Sequence, residues 1–202
     1  MSDGQIVVPK HRERERAARE LVAKGAYSVI IVVLALVVLR PLMVKQLLSR
    51  ADAYSAFGLY DESKRQCDKV LLLDGDNSQA WCNLGRIHKT QGHLDQAFGA
   101  YLRSTEADPN NVPAQFELGM MYVKEGSYRQ AISHLDQVRR CRSDKTTASP
   151  GEPFLYHKAS LDLLLQCYEQ VDDQAKAQFT REEIRVFYPH HTSTEGDAVS
   201  KR

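Results

Sequence analysis

Apolar and polar residues are distributed unevenly along the 202-residue chain. Residues 25–39 form an uncharged run, GAYSVIIVVLALVVL, and three further apolar residues, Leu42, Met43 and Val44, follow Arg40-Pro41. Twenty helical residues span about 30 Å, which is the thickness of the hydrocarbon core of a bilayer. The pattern therefore predicts a single membrane-spanning helix over residues 25–44.

Two alternatives remain open for this run. A buried helix of a small soluble domain is disfavoured because Val, Ile and Leu occupy every face and leave no polar side. A cleaved signal peptide has a short basic start and small residues just after the apolar core. Here about 24 residues precede the run, and the first A-x-A sequence after it, Ala51-Asp52-Ala53, lies far downstream.

The distribution of Lys and Arg predicts the orientation of this helix. Lys45 and Arg50 are the basic residues in the twenty positions after Arg40, whereas the charged arm at residues 1–24 is richer in them. Those of the arm are Lys10, Arg12, Arg14, Arg16, Arg19 and Lys24. The positive-inside rule then places the N-terminus in the cytoplasm and the residues after the helix on the opposite side of the membrane. A bacterial inner membrane with a periplasmic C-terminal domain fits this arrangement.

The remainder of the chain repeats with a period of 34 residues. Three columns of equivalent positions carry the repeat: Gly58, Gly92 and Gly126; Ala51, Gly85 and Gly119; and Cys67, Tyr101 and Leu135. We expect the first column to supply the positive φ of a tight turn between helices. The second column supplies small positions where helices approach closely. The segments 74–78 and 108–111 are expected to end one helix and cap the next.

The repeat resembles the tetratricopeptide repeat. Its second copy has Trp81-x2-Leu84-Gly85, then Ala97-x3-Tyr101, then Pro109, as in the family pattern. His88 replaces the usual Tyr, and Ser63 replaces a small Ala in the first copy. The resemblance implies a solenoid of three to four helical hairpins. Together with the membrane helix predicted from the apolar run, this gives an all-α fold in which the N-terminal transmembrane helix precedes the solenoid.

The resemblance covers residues 44–189. Repeats are expected at 44–77, 78–111, 112–145 and 158–191, with a polar insertion at 143–153. Ala177 is the preferred small position of the fourth repeat, and a register based on Ala175-x3-Phe179 stays open. The polar tail at 190–202 is expected to be disordered.

No pattern of catalysis or of metal binding is found. The net charge of +1 argues against a nucleic-acid partner. The chain has no Gly-rich phosphate loop, and its four Cys form no C-x-x-C. We therefore expect a protein that is not an enzyme and needs no cofactor, metal or small-molecule substrate. Of the cysteines, Cys141 and Cys167 are the one pair worth testing for a disulfide.

The resemblance implies a concave groove that is lined by the first helix of each pair and binds a protein segment. The residues it nominates are Cys82, Asn83, Arg86, Lys89, Phe116, Met120, Val123 and Lys124. Phe116, Met120 and Val123 form an apolar strip flanked by positive charge. This combination suits an amphipathic helix or extended peptide with acidic residues near an apolar anchor.

One subclass of partner is disfavoured. Co-chaperone members of the family hold a C-terminal carboxylate with Lys, Asn and Arg, and of those positions Asn83 alone matches. Leu48, Asp52, Pro113 and Glu117 stand at the others.

Together these features predict a membrane-anchored adaptor or scaffold that supports the assembly of a membrane or envelope complex. Two alternatives stay open, an organelle receptor with cytosolic repeats and an accessory subunit of a membrane enzyme complex.

Overall fold

The computed structural model describes residues 10–34, 37, 39–141 and 152–189. Regular structure within these ranges is helical, and they contain no strand. The predicted tail at 190–202 and most of the predicted insertion at 143–153 lie outside the described residues. In chain order the helices are α1 (Lys10–Leu34), α2 (Arg40–Ala56), α3 (Tyr60–Leu73), α4 (Ser78–Thr90), α5 (Leu94–Ala107), α6 (Val112–Glu125), α7 (Tyr128–Cys141), α8 (Glu152–Gln170) and α9 (Gln174–Phe187).

The chain divides into two units, Met1–Gln46 and Leu47–Arg202. In the second unit α4/α5, α6/α7 and α8/α9 form consecutive contacting pairs, and the part of α2 that lies in this unit is linked to α3 by the hydrogen bond from Ser63 to the carbonyl of Ala51. Each of α3, α5 and α7 contacts the helix that follows it, and α6 also contacts both α4 and α8. Contacts between neighbouring pairs therefore build an all-α solenoid, as the sequence predicts.

The apolar run at residues 25–44 is shared by two helices. Helix α1 ends at Leu34 and α2 begins at Arg40, and residues 35, 36 and 38 lie outside the described part of the chain. Among the described residues, no helix combines the length and the apolar character that a membrane crossing needs. The span over 25–44 thus has no support from the described structure and stays a prediction.

The turns inside the helix pairs share one backbone geometry. Gly58, Gly92 and Gly126 have φ values of 74°, 80° and 80°, which confirms the positive φ predicted from the glycine column. The residue after each glycine donates its N–H to a carbonyl five positions earlier, as His93 does to His88 at 2.9 Å. This bond satisfies a carbonyl at the end of the first helix and directs the chain into the second.

Asp172 occupies the same position in the turn of the fourth pair, with a φ of 58°. It follows Gly126 by 46 residues instead of 34, so twelve additional residues separate the third and fourth pairs. In this register Ala177 is the small residue of α9, and it is fully buried, whereas Phe179 is 63% exposed.

Close approach between paired helices depends on the second glycine column. A Cβ atom at Gly85 would lie 2.6 Å from the ring of Tyr101, and one at Gly119 would lie 2.6 Å from Leu135. Both facing side chains are buried in the core. The structure confirms that these positions must be small.

Polar side chains at the helix ends and pair contacts complete the fold. The side-chain oxygens of Asn77 and Asn111 accept hydrogen bonds from the N–H groups of Ala80 and Ala114, at 3.0 and 3.1 Å. These bonds confirm the caps predicted for α4 and α6. Ser63, which replaces the usual Ala, is fully buried and donates its hydroxyl to a carbonyl of α2.

We predict that Gly85→Ala destabilises the repeat domain by about 1–3 kcal/mol, because the buried ring of Tyr101 must move to admit a methyl group. The control is Gly99→Ala, since Gly99 is exposed within α5 and has no neighbouring atom within 4 Å of its ideal Cβ. That variant should gain about 0.5–1 kcal/mol of helix stability. Urea unfolding followed by circular dichroism measures both, and a Gly85→Ala protein as stable as the wild type would contradict the close contact.

Candidate functional site

The predicted groove residues lie on two first helices that contact each other. Cys82, Asn83, Arg86 and Lys89 belong to α4, and Phe116, Met120, Val123 and Lys124 belong to α6. We call the surface formed by Asp52, Arg86, Lys89 and Glu117 the first-helix face. The structure joins these residues in ion pairs between first helices, while it leaves Lys124 exposed on α6 and buries Cys82, Asn83 and Phe116.

The positive charges of α4 are paired with carboxylates of neighbouring first helices. Arg86 lies 3.4 Å from the carboxylate of Asp52 in α2, and both side chains are about half exposed. Lys89 donates to the carboxylate of Glu117 in α6, and these two side chains are 34% and 20% exposed. The first-helix face therefore alternates between cations and anions and does not form a positive patch.

Asn83 is the polar centre of this arrangement. It is 1% exposed and donates its amide N–H to Asp52 at 2.9 Å. Its amide oxygen accepts hydrogen bonds from Arg86 at 3.0 Å and from Gln79 at 3.3 Å. Asn83 therefore fixes the side chains around it and offers a partner little surface of its own.

The predicted apolar strip packs inside the protein. Phe116 is 9% exposed and belongs to the core cluster of α6 to α9, against which Met120 and Val123 also pack as partly buried side chains. The ring of Phe116 meets that of Tyr156 in α8 edge to face, with centroids 5.2 Å apart. The aromatic position that the sequence nominates as an anchor for a partner is thus covered by the chain's own α8.

Cys82 is buried, and burial raises the pKa of its thiol to about 12. Desolvation likewise raises the pKa of Cys67 to about 12 and that of Cys167 to about 11. No disulfide joins the four cysteines, all of which lie in the described ranges. Cys141 lies beside Asn110, 3.6 Å from its side-chain oxygen, while Cys167 is in the core of α8 and α9, so the structure does not bond this pair.

Sequence reasoning missed three contacts of this region. Asp52 and Glu117 stand at clamp positions in the sequence. Asp52 lies 34 residues before Arg86 and Glu117 lies 28 residues after Lys89, close to one repeat length, which indicates neighbouring first helices. The contact of Tyr156 had no such signal, because it depends on the length of α8. Among the described residues, no group of His, Cys, Asp or Glu is arranged to hold a metal ion.

Comparisons with known proteins agree with this geometry. Residues 78–111 match the family model described as "Tetratricopeptide repeat". A relative in Schizosaccharomyces pombe, anaphase-promoting complex subunit 3, is 27% identical over 136 residues, which are 67% of this chain and 19% of that protein. The chain spans less than a fifth of the length of the curated relatives it matches.

Solved structures share the fold. PilF of Pseudomonas aeruginosa superposes with a TM-score of 0.57 and 15% identity, covering 74% of this chain and 63% of that one. The type III secretion chaperone SycD of Yersinia enterocolitica, in complex with a peptide of the translocator YopD, superposes with a TM-score of 0.52 and 19% identity. That match covers 62% of this chain and 92% of SycD.

We predict that Phe116→Ala lowers the free energy of unfolding by about 3–5 kcal/mol, because it leaves a cavity between α6 and α8. Phe179→Ala is the matched control, since Phe179 is 63% exposed and its loss should change stability by less than about 0.5 kcal/mol. Chemical denaturation compares the two variants. Equal stabilities would show that Phe116 is not part of the core and is free to serve as a binding anchor.

Proposed function

We propose that this protein, which belongs to the tetratricopeptide repeat family, is a non-catalytic adaptor that binds a protein partner and supports the assembly of a membrane or envelope complex. The domain presents rigid first helices side by side, and their exposed surface is polar next to a partly buried apolar region. Such a surface suits a peptide or helix of another protein. SycD, which shares the fold, has been solved with a peptide of YopD, and we extend that mode of binding to this chain as part of the proposal.

The first-helix face carries the proposal because its charges are accessible although they are paired. Arg86 and Asp52 are 53% and 51% exposed. An ion pair with that exposure contributes about 0.2–1 kcal/mol, so a carboxylate of a partner can replace Asp52 at little cost. Partner binding then requires an exchange of ion pairs and not the filling of an empty positive site.

An apolar anchor of the partner would lie beside Met120 and Val123, which are partly buried, and Lys124 is exposed at the edge of this region. Phe116 contributes indirectly in this arrangement, because it holds α6 against α8. The partner that fits is an amphipathic helix or extended peptide whose acidic residues flank a small apolar anchor.

Membrane anchoring is the second part of the proposal. The uncharged run at residues 25–39 and its continuation to Val44 support it, as does the excess of Lys and Arg in the arm at residues 1–24. We propose that the helix crosses a bacterial inner membrane, so that the N-terminus lies in the cytoplasm and the repeats lie in the periplasm. A reporter fused after Arg202 distinguishes this orientation from cytosolic repeats.

The partner-binding proposal predicts that Arg86→Glu reduces capture of the partner about tenfold or more, since a negative charge would repel the acidic segment. Tagged full-length protein is used to capture partners from detergent extracts, and mass spectrometry quantifies them. Arg65→Glu is the control, because Arg65 is exposed on a second helix. Circular dichroism verifies that both variants are folded. Equal capture by wild type and Arg86→Glu would exclude the first-helix face as the binding surface.

The anchoring proposal predicts that full-length protein stays in the membrane fraction after an alkaline carbonate wash. Ile30→Lys combined with Val33→Lys should release it, because each Lys near the centre of a spanning helix costs about 2.5–3.5 kcal/mol of insertion free energy. Immunoblotting of pellet and supernatant measures the partition. Release of the wild type by carbonate, or recovery of a chain that begins near Ala51, would contradict a retained anchor.

A further inference from the structure

Tyr101 of α5 places a hydroxyl group in the interior of the repeat domain. The residue is 1% exposed, and its Oη atom is buried with no hydrogen-bond partner among the described residues. Buried hydroxyl groups are normally paired, because an unpaired one loses its hydrogen bonds to water without compensation. Cys67 in α3 and Leu135 in α7 fill the equivalent buried positions without a hydroxyl group. Pairing of the helices therefore does not explain why residue 101 carries one.

The packing of the Tyr101 ring locates this hydroxyl group. The ring crosses Gly85 of α4, where an added Cβ atom would lie 2.6 Å from its Cδ1 and Cε1 atoms. Tyr101 also shares a core cluster with Ala114 and Leu118 of α6. These two residues lie three positions before and one position after Glu117. The ring therefore lies between α4 and α6, beside the turn of α6 that carries Glu117.

The carboxylate of Glu117 acts on this hydroxyl group. Burial raises the pKa of the Tyr101 phenol, and Glu117 is the charged residue that raises it most. Lys89 donates to Oε2 of Glu117, and the Glu117 and Lys89 side chains are 20% and 34% exposed. Both oxygens of a carboxylate can accept further hydrogen bonds. Tyr101 thus has an unused donor beside a turn whose carboxylate has unused capacity to accept.

The other ion pair of the first-helix face already has a second donor. Asp52 accepts hydrogen bonds from Arg86 and, at 2.9 Å, from the amide group of Asn83. Loss of Arg86 would leave Asp52 bonded to Asn83. In the described part of the chain, the Glu117 side chain has Lys89 as its one donor. Loss of Lys89 would leave a largely buried carboxylate unpaired, which is unfavourable unless another donor replaces it.

We propose that Tyr101 is the second hydrogen-bond donor of Glu117, engaged when an acidic side chain of a partner takes Lys89. The carboxylate then turns away from Lys89 and accepts the hydroxyl hydrogen of Tyr101. This role rests on the proposed function, because it extends the exchange of ion pairs to Lys89 and assigns an acidic group of the partner to that position. Tyr101 acts through Glu117 as a positioning residue and needs no contact with the partner.

A double-mutant cycle measures this second bond without a partner. Lys89→Met removes the cation and keeps a long side chain that suits a helix. Tyr101→Phe should change the unfolding equilibrium constant of the wild type by less than about threefold, because the hydroxyl is unpaired there. In the Lys89→Met background it should raise that constant about tenfold or more, because it removes a hydrogen bond to a carboxylate. Urea unfolding of the full-length chain is followed by the fluorescence of Trp81, the single tryptophan.

Glu117→Met provides the matched control, since it keeps a long side chain and removes the acceptor. In the chain that carries both Lys89→Met and Glu117→Met, Tyr101→Phe should again have its small wild-type effect. An equal effect of Tyr101→Phe with and without Lys89 overturns the proposal. A tenfold effect in the wild type also overturns it, because the hydroxyl would already be engaged. Coupling that persists without Glu117 belongs to another acceptor and likewise overturns it.

The cycle and the capture of a partner fail independently. Capture by the wild type and by Arg86→Glu decides whether the first-helix face binds a protein, whereas the cycle reports on Tyr101 in the free chain. A captured partner should bind Tyr101→Phe about tenfold more weakly than the wild type, although the two chains are similarly stable. Equal affinities would show that the partner does not take Lys89 and would overturn the exchange at this position.

Discussion

The repeat domain depends on how closely the two helices of a pair can approach. In the second and third pairs a glycine faces a large buried side chain, Tyr101 or Leu135, at a distance that excludes a Cβ atom. The first pair has Ala51 and Cys67 at these positions. A somewhat larger residue on one helix is thus matched by a smaller one on the other. The first three pairs share a Gly or Ala at the contact, whereas the buried residue that faces it varies in size.

Much of the fold follows from the sequence because its determinants are local. The positive φ at Gly58, Gly92 and Gly126 and the caps at Asn77 and Asn111 depend on a few neighbouring residues. The sequence alone does not fix the register of α9, because both Ala175 and Ala177 stand four residues before a larger residue. Burial of Ala177 in the core decides between them, and burial depends on contacts with other helices.

The candidate site was less predictable for the same reason. A repeat pattern relates equivalent positions only where first helices have similar lengths, whereas α8 has 19 residues and α6 has 14. The additional length of α8 brings Tyr156 against Phe116, which a repeat pattern cannot indicate. Similarly, the sequence shows that Arg86 and Lys89 are positively charged. It does not show that Asp52 and Glu117 neutralise them, because these carboxylates come from other helices that pack beside α4.

The ion pairs of the first-helix face also bear on the mechanics of the solenoid. Asp52–Arg86 joins α2 to α4, and Lys89–Glu117 joins α4 to α6, so each pair restrains the separation of two successive first helices. Under the proposed exchange of ion pairs, a partner that takes over one of the cations would remove that restraint between two first helices. Ionic strength acts on the same restraints, because salt screens exposed pairs, so the contact between successive first helices is weaker at high salt.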